Sequence, residues 1–218
     1  MIIWISPQEI LKEIEYLRDY EIFIEKFLQE KIEEFNTSVN KRAMGMEGEE
    51  KEQFLEWNSE EYFELSEELP TRLRGSIFIT TMSLFEFRLN DLCGSLQAFK
   101  KEKLSLNDVA GKGIYRAKKY LNKVFEINFP NNPSLWETID IYQTIRNALV
   151  HNEGFVTQDV DKIQKYIEKS KVFSFQLRGS RIILKESFVG EAIDTIQPCL
   201  IQLCDDLKNL CDVSKKSH

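Results

Sequence analysis

Apolar residues recur along most of this chain at the three- and four-residue spacing that is typical of amphipathic helices. A long helix is predicted over residues 7–35, and Ser6 and Glu9 form a capping box at its start. Residues 36–48 interrupt the spacing with small and polar side chains, so a loop is expected there. Residues 47–68 combine ten acids and one base with aromatic residues, which favours a second, acidic helix.

The second half of the chain adds a β-hairpin to this helical pattern. The runs 172–177 and 181–185 are rich in valine, phenylalanine and isoleucine, and Arg178-Gly179-Ser180 separates them as a turn. The fold class is therefore predicted as mainly α, a helical bundle with a small hairpin at about residues 172–185 before the C-terminal helix. Further helices are predicted over residues 71–99, 114–125, 133–150 (capped by Asn132), 159–167 and 188–213.

The end of the helix over residues 133–150 carries the most informative residues of the chain. Arg146, Asn147 and His151 close an otherwise apolar pattern, and His151 is one of only two histidines. On a count of about 100° per residue, Arg146 falls inside the apolar arc of its helix. Asn147 and His151 lie four residues apart and share a face, which is rotated from the arginine by roughly 100–140°. These three residues form the candidate site.

An arginine that is directed at a core needs a partner, because an unpaired buried charge is strongly destabilising. The helix over residues 71–99 offers Glu86, which lies within an apolar stripe that contains Met82 and Cys93. We predict that Glu86 pairs with Arg146 and holds the guanidinium in place.

The net charge of −7 hides two segments of opposite charge. Residues 1–69 carry 19 acids and 7 bases, a net of −12, whereas residues 100–123 carry 8 bases and 2 acids, a net of +6. The basic segment is where the phosphate backbone of RNA would lie, and a solvated helix face is the alternative interpretation. The candidate RNA-binding residues on its predicted helix are Arg116, Lys118, Lys119 and Lys123.

Several classes of site lack their sequence signals. No GxxxxGK[ST], GxGxxG or GxSxG stretch occurs, which argues against a phosphate loop, a dinucleotide fold and a serine-hydrolase elbow. The two histidines and four cysteines form no zinc pattern, so no metal and no cofactor are predicted. No apolar run has the length of a membrane span, and residues 1–5 lack a signal-peptide pattern. We expect the four cysteines to be reduced thiols, which is typical of a cytoplasmic protein. The lack of a long apolar run predicts that the protein has no membrane partner.

Arg146 to His151 match the R-x4-H signature, in its Arg-Asn form, of the HEPN superfamily (higher eukaryotes and prokaryotes nucleotide-binding domain), which the chain resembles. The order of parts is also similar, with a helical bundle, the signature near the end of a late helix, and a C-terminal helix behind it. The resemblance covers residues 70–213 in architecture and six residues in motif. A single helical domain is predicted over residues 1–218, with an acidic N-terminal region at 1–69 and a HEPN-like core at 70–213.

The resemblance implies a metal-independent endoribonuclease, often a toxin or phage-defence effector, that binds RNA and acts through a composite site in a homodimer. His151 would be the general base or acid at the 2′-hydroxyl attack or leaving-group step. Arg146 would stabilise the phosphorane-like transition state, and Asn147 would position the arginine or a phosphate oxygen. Glu86 enters this catalytic set through the helix geometry above.

Two rival interpretations stay open. One is a non-catalytic HEPN-like helical binding module that partners a nucleotidyltransferase antitoxin or another protein. The other is a helical adaptor of unrelated ancestry whose acidic arm binds a basic protein. A histidine near a helix end can also simply cap carbonyl groups, and a buried arginine can form a structural ion pair.

Overall fold

The computed structural model describes residues 6–170 and 174–216, with side chains placed for residues 6–169 and 174–209. Over these residues the chain is mainly α-helical with a two-stranded antiparallel hairpin before the last helix, which confirms the predicted fold class. Residues 172–173, where the first strand was predicted to begin, lie outside the described residues. The helices are α1 Pro7–Ala43, α2 Gly48–Trp57, α3 Ser59–Phe63, α4 Leu69–Lys100, α5 Gly113–Val124, α6 Pro133–His151, α7 Val160–Ser170 and α8 Phe188–Lys216, and the strands are β1 Phe175–Arg178 and β2 Arg181–Leu184.

Two predicted helix starts, those of α1 and α6, are confirmed by their capping bonds. At the start of α1 the backbone N–H of Ser6 donates to Glu9 Oε2 at 2.8 Å, and the N–H of Glu9 donates to Ser6 Oγ at 3.2 Å. At the start of α6 the N–H of Ser134 donates to Asn132 Oδ1 at 3.0 Å. Each bond satisfies a donor that has no partner inside the helix.

Helix α1 is longer than predicted, because residues 36–43 continue the helix where a loop was expected. Ala43 at its end is 6% exposed, and the Arg42 guanidinium lies 4.8 Å from the ring centroid of Phe54 on α2. Small and polar residues signal a break in the chain, but packing of this helix end on α2 overrides that signal.

The acidic segment forms α2, α3 and a π-helical stretch, Glu64–Glu68, that runs directly into α4. Pro70, the second residue of α4, has no N–H to donate to a preceding carbonyl, which accounts for a local change in the helical hydrogen-bond pattern. The boundary predicted between residues 69 and 70 therefore falls within a continuous helical run.

The chain divides into two compact units. The first unit contains the chain up to Leu17, the segment Ile79–Thr144 and the chain from Glu191 onward. The second unit contains Arg18–Phe78 and Ile145–Gly190. The single domain over residues 1–218 stays a prediction.

The first unit buries apolar side chains from α1, α4, α5, α6 and α8. Tyr120 is fully buried, and its hydroxyl donates to the Leu104 carbonyl at 2.6 Å. This bond gives the polar atom of a core tyrosine the partner that burial requires. The other large buried residues of this core include Ile10, Ile14, Phe85, Leu89, Leu92, Leu96, Leu121, Ile139, Ile193, Ile196, Leu200 and Leu203.

The second unit packs the hairpin against helices through aromatic rings. Phe188 lies with its ring centroid 4.8 Å from that of Phe78 and 5.4 Å from that of Phe175. Strand β2 buries Ile182, Ile183 and Leu184 in succession, so both of its faces are covered. This packing gives the two-stranded hairpin the support that it cannot supply alone.

Candidate active site at the end of helix α6

The burial of α6 agrees in part with the apolar arc that the sequence predicts. Ile139 and Tyr142, which flank Arg146 on the helical count, are at most 4% exposed. Val150, in the last turn, is 41% exposed, and Arg146 itself is half-buried. Arg146 is therefore less enclosed than its place in the arc predicts, because the cover on this face ends near the last turn.

Arg146 and Asn147 are joined by a side-chain hydrogen bond. Arg146 Nη1 donates to Asn147 Oδ1 at 3.2 Å. Asn147 and His151 are both exposed and, at a spacing of four residues, lie on the same face of the helix. The bond therefore fixes the guanidinium against Asn147, the residue that shares a face with the histidine.

His151 is the last residue of α6, and a tight reversal of the chain follows it. The N–H groups of Asn152 and Gly154 both donate to the Ala148 carbonyl, at 2.9 and 3.0 Å. Glu153 and Gly154 have φ angles of 52° and 86°, which turn the chain sharply. Because backbone N–H groups cap the helix here, and the described residues offer the imidazole no hydrogen bond, His151 is not a structural cap.

The segment after the reversal is fixed to the hairpin. The N–H of Val156 donates to the Ser180 carbonyl at 2.8 Å, and the N–H of Ile182 donates to the Gly154 carbonyl at 3.0 Å. The end of α6 is thus held in place by backbone bonds to β2 and the hairpin turn.

Glu86 and Arg146 belong to different units, and the predicted pair between them stays a prediction. Glu86 is half-buried on α4. Its carboxylate oxygens lie 3.3 and 3.4 Å from the position that a Cβ atom would take on Gly113, the first residue of α5. The start of a helix favours negative charge, so this position suits a carboxylate in its own right.

The four predicted RNA-binding cations share the solvent side of α5. Lys119 and Lys123 are exposed, and Arg116 and Lys118 are half-buried. The Nε atom of Arg116 is shielded from solvent and makes no hydrogen bond with the described residues. The opposite face of α5 is buried through Ile114, Ala117, Tyr120 and Leu121.

A cluster of aromatic and charged side chains beside these cations was not predicted. Lys118 Nζ lies 3.9 Å from the ring centroid of Trp136, and Tyr115 meets the same indole edge-on at 5.8 Å. The Tyr115 hydroxyl donates to Asp140. Burial lowers the pKa of Lys118, and the nearby Asp140 carboxylate opposes this effect by raising the pKa. The signal in the sequence was the pairing of Tyr115 and Lys118 three residues apart, one helical turn.

A second apolar face of α1, formed by exposed aromatic residues, was also not predicted. The sequence contains the signal, because its aromatic residues are spaced by four, three and four residues. The exposed fractions are 60% for Tyr16, 43% for Tyr20, 67% for Phe23 and 37% for Phe27.

Within the described part of the chain, no group of three or more histidine, cysteine, aspartate or glutamate side chains is arranged to hold a metal ion. Across the same residues, no helix combines the length and the apolar character that crossing a membrane requires. Cys93, Cys199 and Cys204 are buried free thiols, and the side chain of Cys211 lies outside the described set.

No protein-family model matches this chain, and comparisons with curated proteins and with solved structures likewise found no match. The likeness to the HEPN superfamily therefore rests on the R-x4-H motif and on the order of the helices.

Proposed function

We propose that this chain is a metal-independent endoribonuclease of the HEPN type, a toxin or phage-defence effector that acts as a homodimer in the cytoplasm. The observation that carries the proposal is the hydrogen bond between Arg146 and Asn147 beside an exposed His151 at the end of α6. RNA cleavage by the 2′-hydroxyl needs a group that transfers protons and a cation that stabilises developing charge. An imidazole and a guanidinium on one helix end supply both.

In the proposed reaction, His151 accepts the proton of a ribose 2′-hydroxyl as the oxygen attacks the adjacent phosphorus. The bond from phosphorus to the 5′ oxygen of the next nucleotide breaks, leaving a 2′,3′-cyclic phosphate and a 5′-hydroxyl end. A protonated His151 returns a proton to the leaving 5′ oxygen. Arg146 binds the phosphate oxygens as negative charge develops, and Asn147 fixes the direction of the guanidinium.

A homodimer is part of the proposal for a geometric reason. Arg146 and His151 are about 140° apart around the helix axis, so one copy presents them in diverging directions. Two copies related by a twofold axis can direct the arginine of one and the histidine of the other at one phosphate.

The test is cleavage of a labelled single-stranded RNA by the purified chain in excess EDTA. We expect cleavage with 2′,3′-cyclic phosphate ends, a loss of about 10²–10⁴-fold in rate for His151→Ala, and a loss of about 10²–10³-fold for Arg146→Ala. Asn147→Ala should have a smaller effect, because it positions the arginine.

The matched control is Lys165→Ala, which removes an exposed cation from α7 in the same unit. It should cleave at the wild-type rate. Cleavage that survives in His151→Ala, or that EDTA abolishes in the wild type, would contradict the proposal.

A protein-binding module is the second candidate, and the exposure of Trp57 favours it. This residue is 81% exposed at the end of the acidic helix α2. Tryptophan is enriched among the residues that dominate binding at protein interfaces, and the acids around Trp57 would complement a basic partner. If the RNA assay is negative, a complex with a purified nucleotidyltransferase antitoxin that Trp57→Ala weakens at least tenfold would support this candidate.

A further inference from the structure

Helix α1 has two apolar faces, and only one of them is buried against the rest of the chain over the described residues. The second face is the stripe formed by Tyr16, Tyr20, Phe23 and Phe27, whose spacing of four, three and four residues is that of the a and d positions of a coiled coil. The buried face lies on a neighbouring side of the same helix and consists of Ile10, Ile14, Leu17, Ile24 and Leu28.

The aromatic stripe is large enough to need a cover. At roughly 200 Å² for a ring and about half of it exposed, the four residues present about 400 Å² of contiguous aromatic surface. A stable interface covers about 800 Å² on each partner, and the charged residues beside the stripe would supply the remainder. Patches of this size on soluble proteins commonly mark interaction sites.

We propose that a second copy of this chain covers the stripe, with the two α1 helices antiparallel about a twofold axis. Tyr20 then packs against Phe23 of the second copy, and Tyr16 packs against its Phe27. The stripe is self-complementary in this register, because a and d positions pack against each other in antiparallel pairs.

The charges beside the stripe select this arrangement. The residues on its solvent side, at the g positions of the heptad, are Lys12, Asp19, Lys26 and Glu33. In the antiparallel register each falls beside an opposite charge of the second copy, Asp19 beside Lys26 and Lys12 beside Glu33, and symmetry repeats both pairs.

Other registers lose these pairs. A shift of one heptad places Lys26 beside Lys26 and Asp19 beside Glu33, which is repulsive. A parallel pair places the g positions beside the e positions, and these are the buried Leu17 and Ile24.

Glu13 and Glu30, at the two ends of the stripe, meet in the proposed register. Arg88 Nε donates to Glu13 Oε2 at 2.7 Å. Lys26 Nζ lies 3.8 Å from Glu30 Oε1, so in the dimer Lys26 would lie between Glu30 of its own chain and Asp19 of the second copy. The inference uses α1 alone and holds whether or not the chain cleaves RNA.

The test is the dissociation constant of self-association, measured by analytical ultracentrifugation of the full chain. We expect a species of twice the 25.7 kDa chain mass, with dimerisation weakened at least tenfold in Asp19→Lys and in Lys26→Asp.

Mixing the two variants should restore a dimer. The lysine introduced at position 19 of one chain then faces the aspartate introduced at position 26 of the other, and the remaining native Lys26 and Asp19 also face each other. A wild type that stays monomeric at about 100 μM, or a mixture that stays monomeric, would overturn the proposal.

Phe23→Asp tests the aromatic contact, and Phe87→Asp is its control on α4. Both positions are exposed, at 67% and 58%, so neither substitution opens the buried core. We expect Phe23→Asp to weaken dimerisation at least tenfold and Phe87→Asp to dimerise as the wild type does. If Phe23→Asp kept its dimerisation and the control variant lost it, the interface would lie elsewhere and the proposal would be wrong.

Discussion

At the level of single residues, the side chains that organise this molecule are those whose partners are far away in sequence. Arg74 Nε and Nη2 each donate to the Glu25 carboxylate at 2.7 Å, and Arg74 Nη1 donates to the Leu184 carbonyl at 2.9 Å. No pattern of neighbouring residues in the sequence predicts such a triple contact. The partial exposure of Arg146 was not predicted for a different reason, since helical periodicity assigns a residue to a face but does not say how far along the helix that face stays covered.

The buried thiols predict how stability responds to pH. Burial raises the pKa of Cys93 to about 12 and that of Cys204 to about 11, from an ordinary value near 9.0. Above pH 9 the unfolded chain loses these protons while the folded chain keeps them. The free energy of unfolding should therefore fall as pH rises, by up to about 1.4 kcal/mol per pH unit for each such thiol, and this contribution is fully present below pH 9.

The measurement is urea unfolding at about pH 8 and about pH 10 for the wild type and for Cys93→Ala. Tyrosines and lysines titrate in both proteins, so the difference between them isolates the thiol. The alanine variant should be less stable at the lower pH but should lose less stability on going to the higher pH. Equal losses in the two proteins would show that Cys93 ionises as freely in the folded chain as in the unfolded one.

At the level of elements, the sequence predicts what depends on local chemistry. The capping box of α1, the start of α6 at Asn132 and the hairpin with its turn at Gly179 all follow from neighbouring residues, and Gly179 has the φ of 62° that such a turn requires. The end of α1 depends on packing against α2, and the sequence did not predict it. The π-helical stretch before Pro70 was not predicted either, although the proline that accounts for it is visible in the sequence. The α1 stripe is an intermediate case, because its spacing was present but periodicity alone does not separate a buried face from an exposed one.

Two glycines that face the same leucine provide an element-level prediction. A Cβ atom added at Gly75 or at Gly154 would meet a Leu149 methyl group at 3.6 Å, an ordinary contact distance. Gly75 lies inside α4, whereas Gly154 has a φ of 86°. We expect Gly75→Ala to stabilise the chain by about 0.5–1 kcal/mol, and Gly154→Ala to destabilise it by about 1–2 kcal/mol.

Thermal unfolding of the two variants measures the difference. Since the new methyl group meets the same side chain in both, opposite signs would assign the effect to the backbone angle. If both variants were destabilised equally, the cause would be crowding against Leu149, and the backbone angle at Gly154 would not explain the loss of stability. Gly154→Ala should also disturb the reversal that follows His151, and so reduce RNA cleavage more than stability alone explains.

At the level of the whole molecule, the sequence locates the candidate site but not its surroundings. Arg146, Asn147 and His151 lie within six residues, so one helix end positions all three, and a motif can identify them. A partner such as Glu86 depends on how distant helices meet, which composition and spacing do not determine. The separation of charge is also a property of the whole molecule, because the acids are concentrated in residues 1–69 and the basic surplus in residues 100–123.

If the basic face of α5 binds RNA, a chain with a net charge of −7 should do so through very few cations. Lys119 and Lys123 are the exposed members of the predicted set. Reversing both to glutamate should weaken the binding of single-stranded RNA. It should also lower the slope of log K against log salt by about 1.4 for the two lost phosphate contacts.

The control is the pair Lys162→Glu and Lys165→Glu, which makes the same charge change on the exposed side of α7. Titrations at several salt concentrations separate the outcomes, because a general effect of net charge lowers affinity equally in both double variants. A direct contact changes the slope only in the α5 variant, and an unchanged slope there would leave these lysines as a solvated helix face.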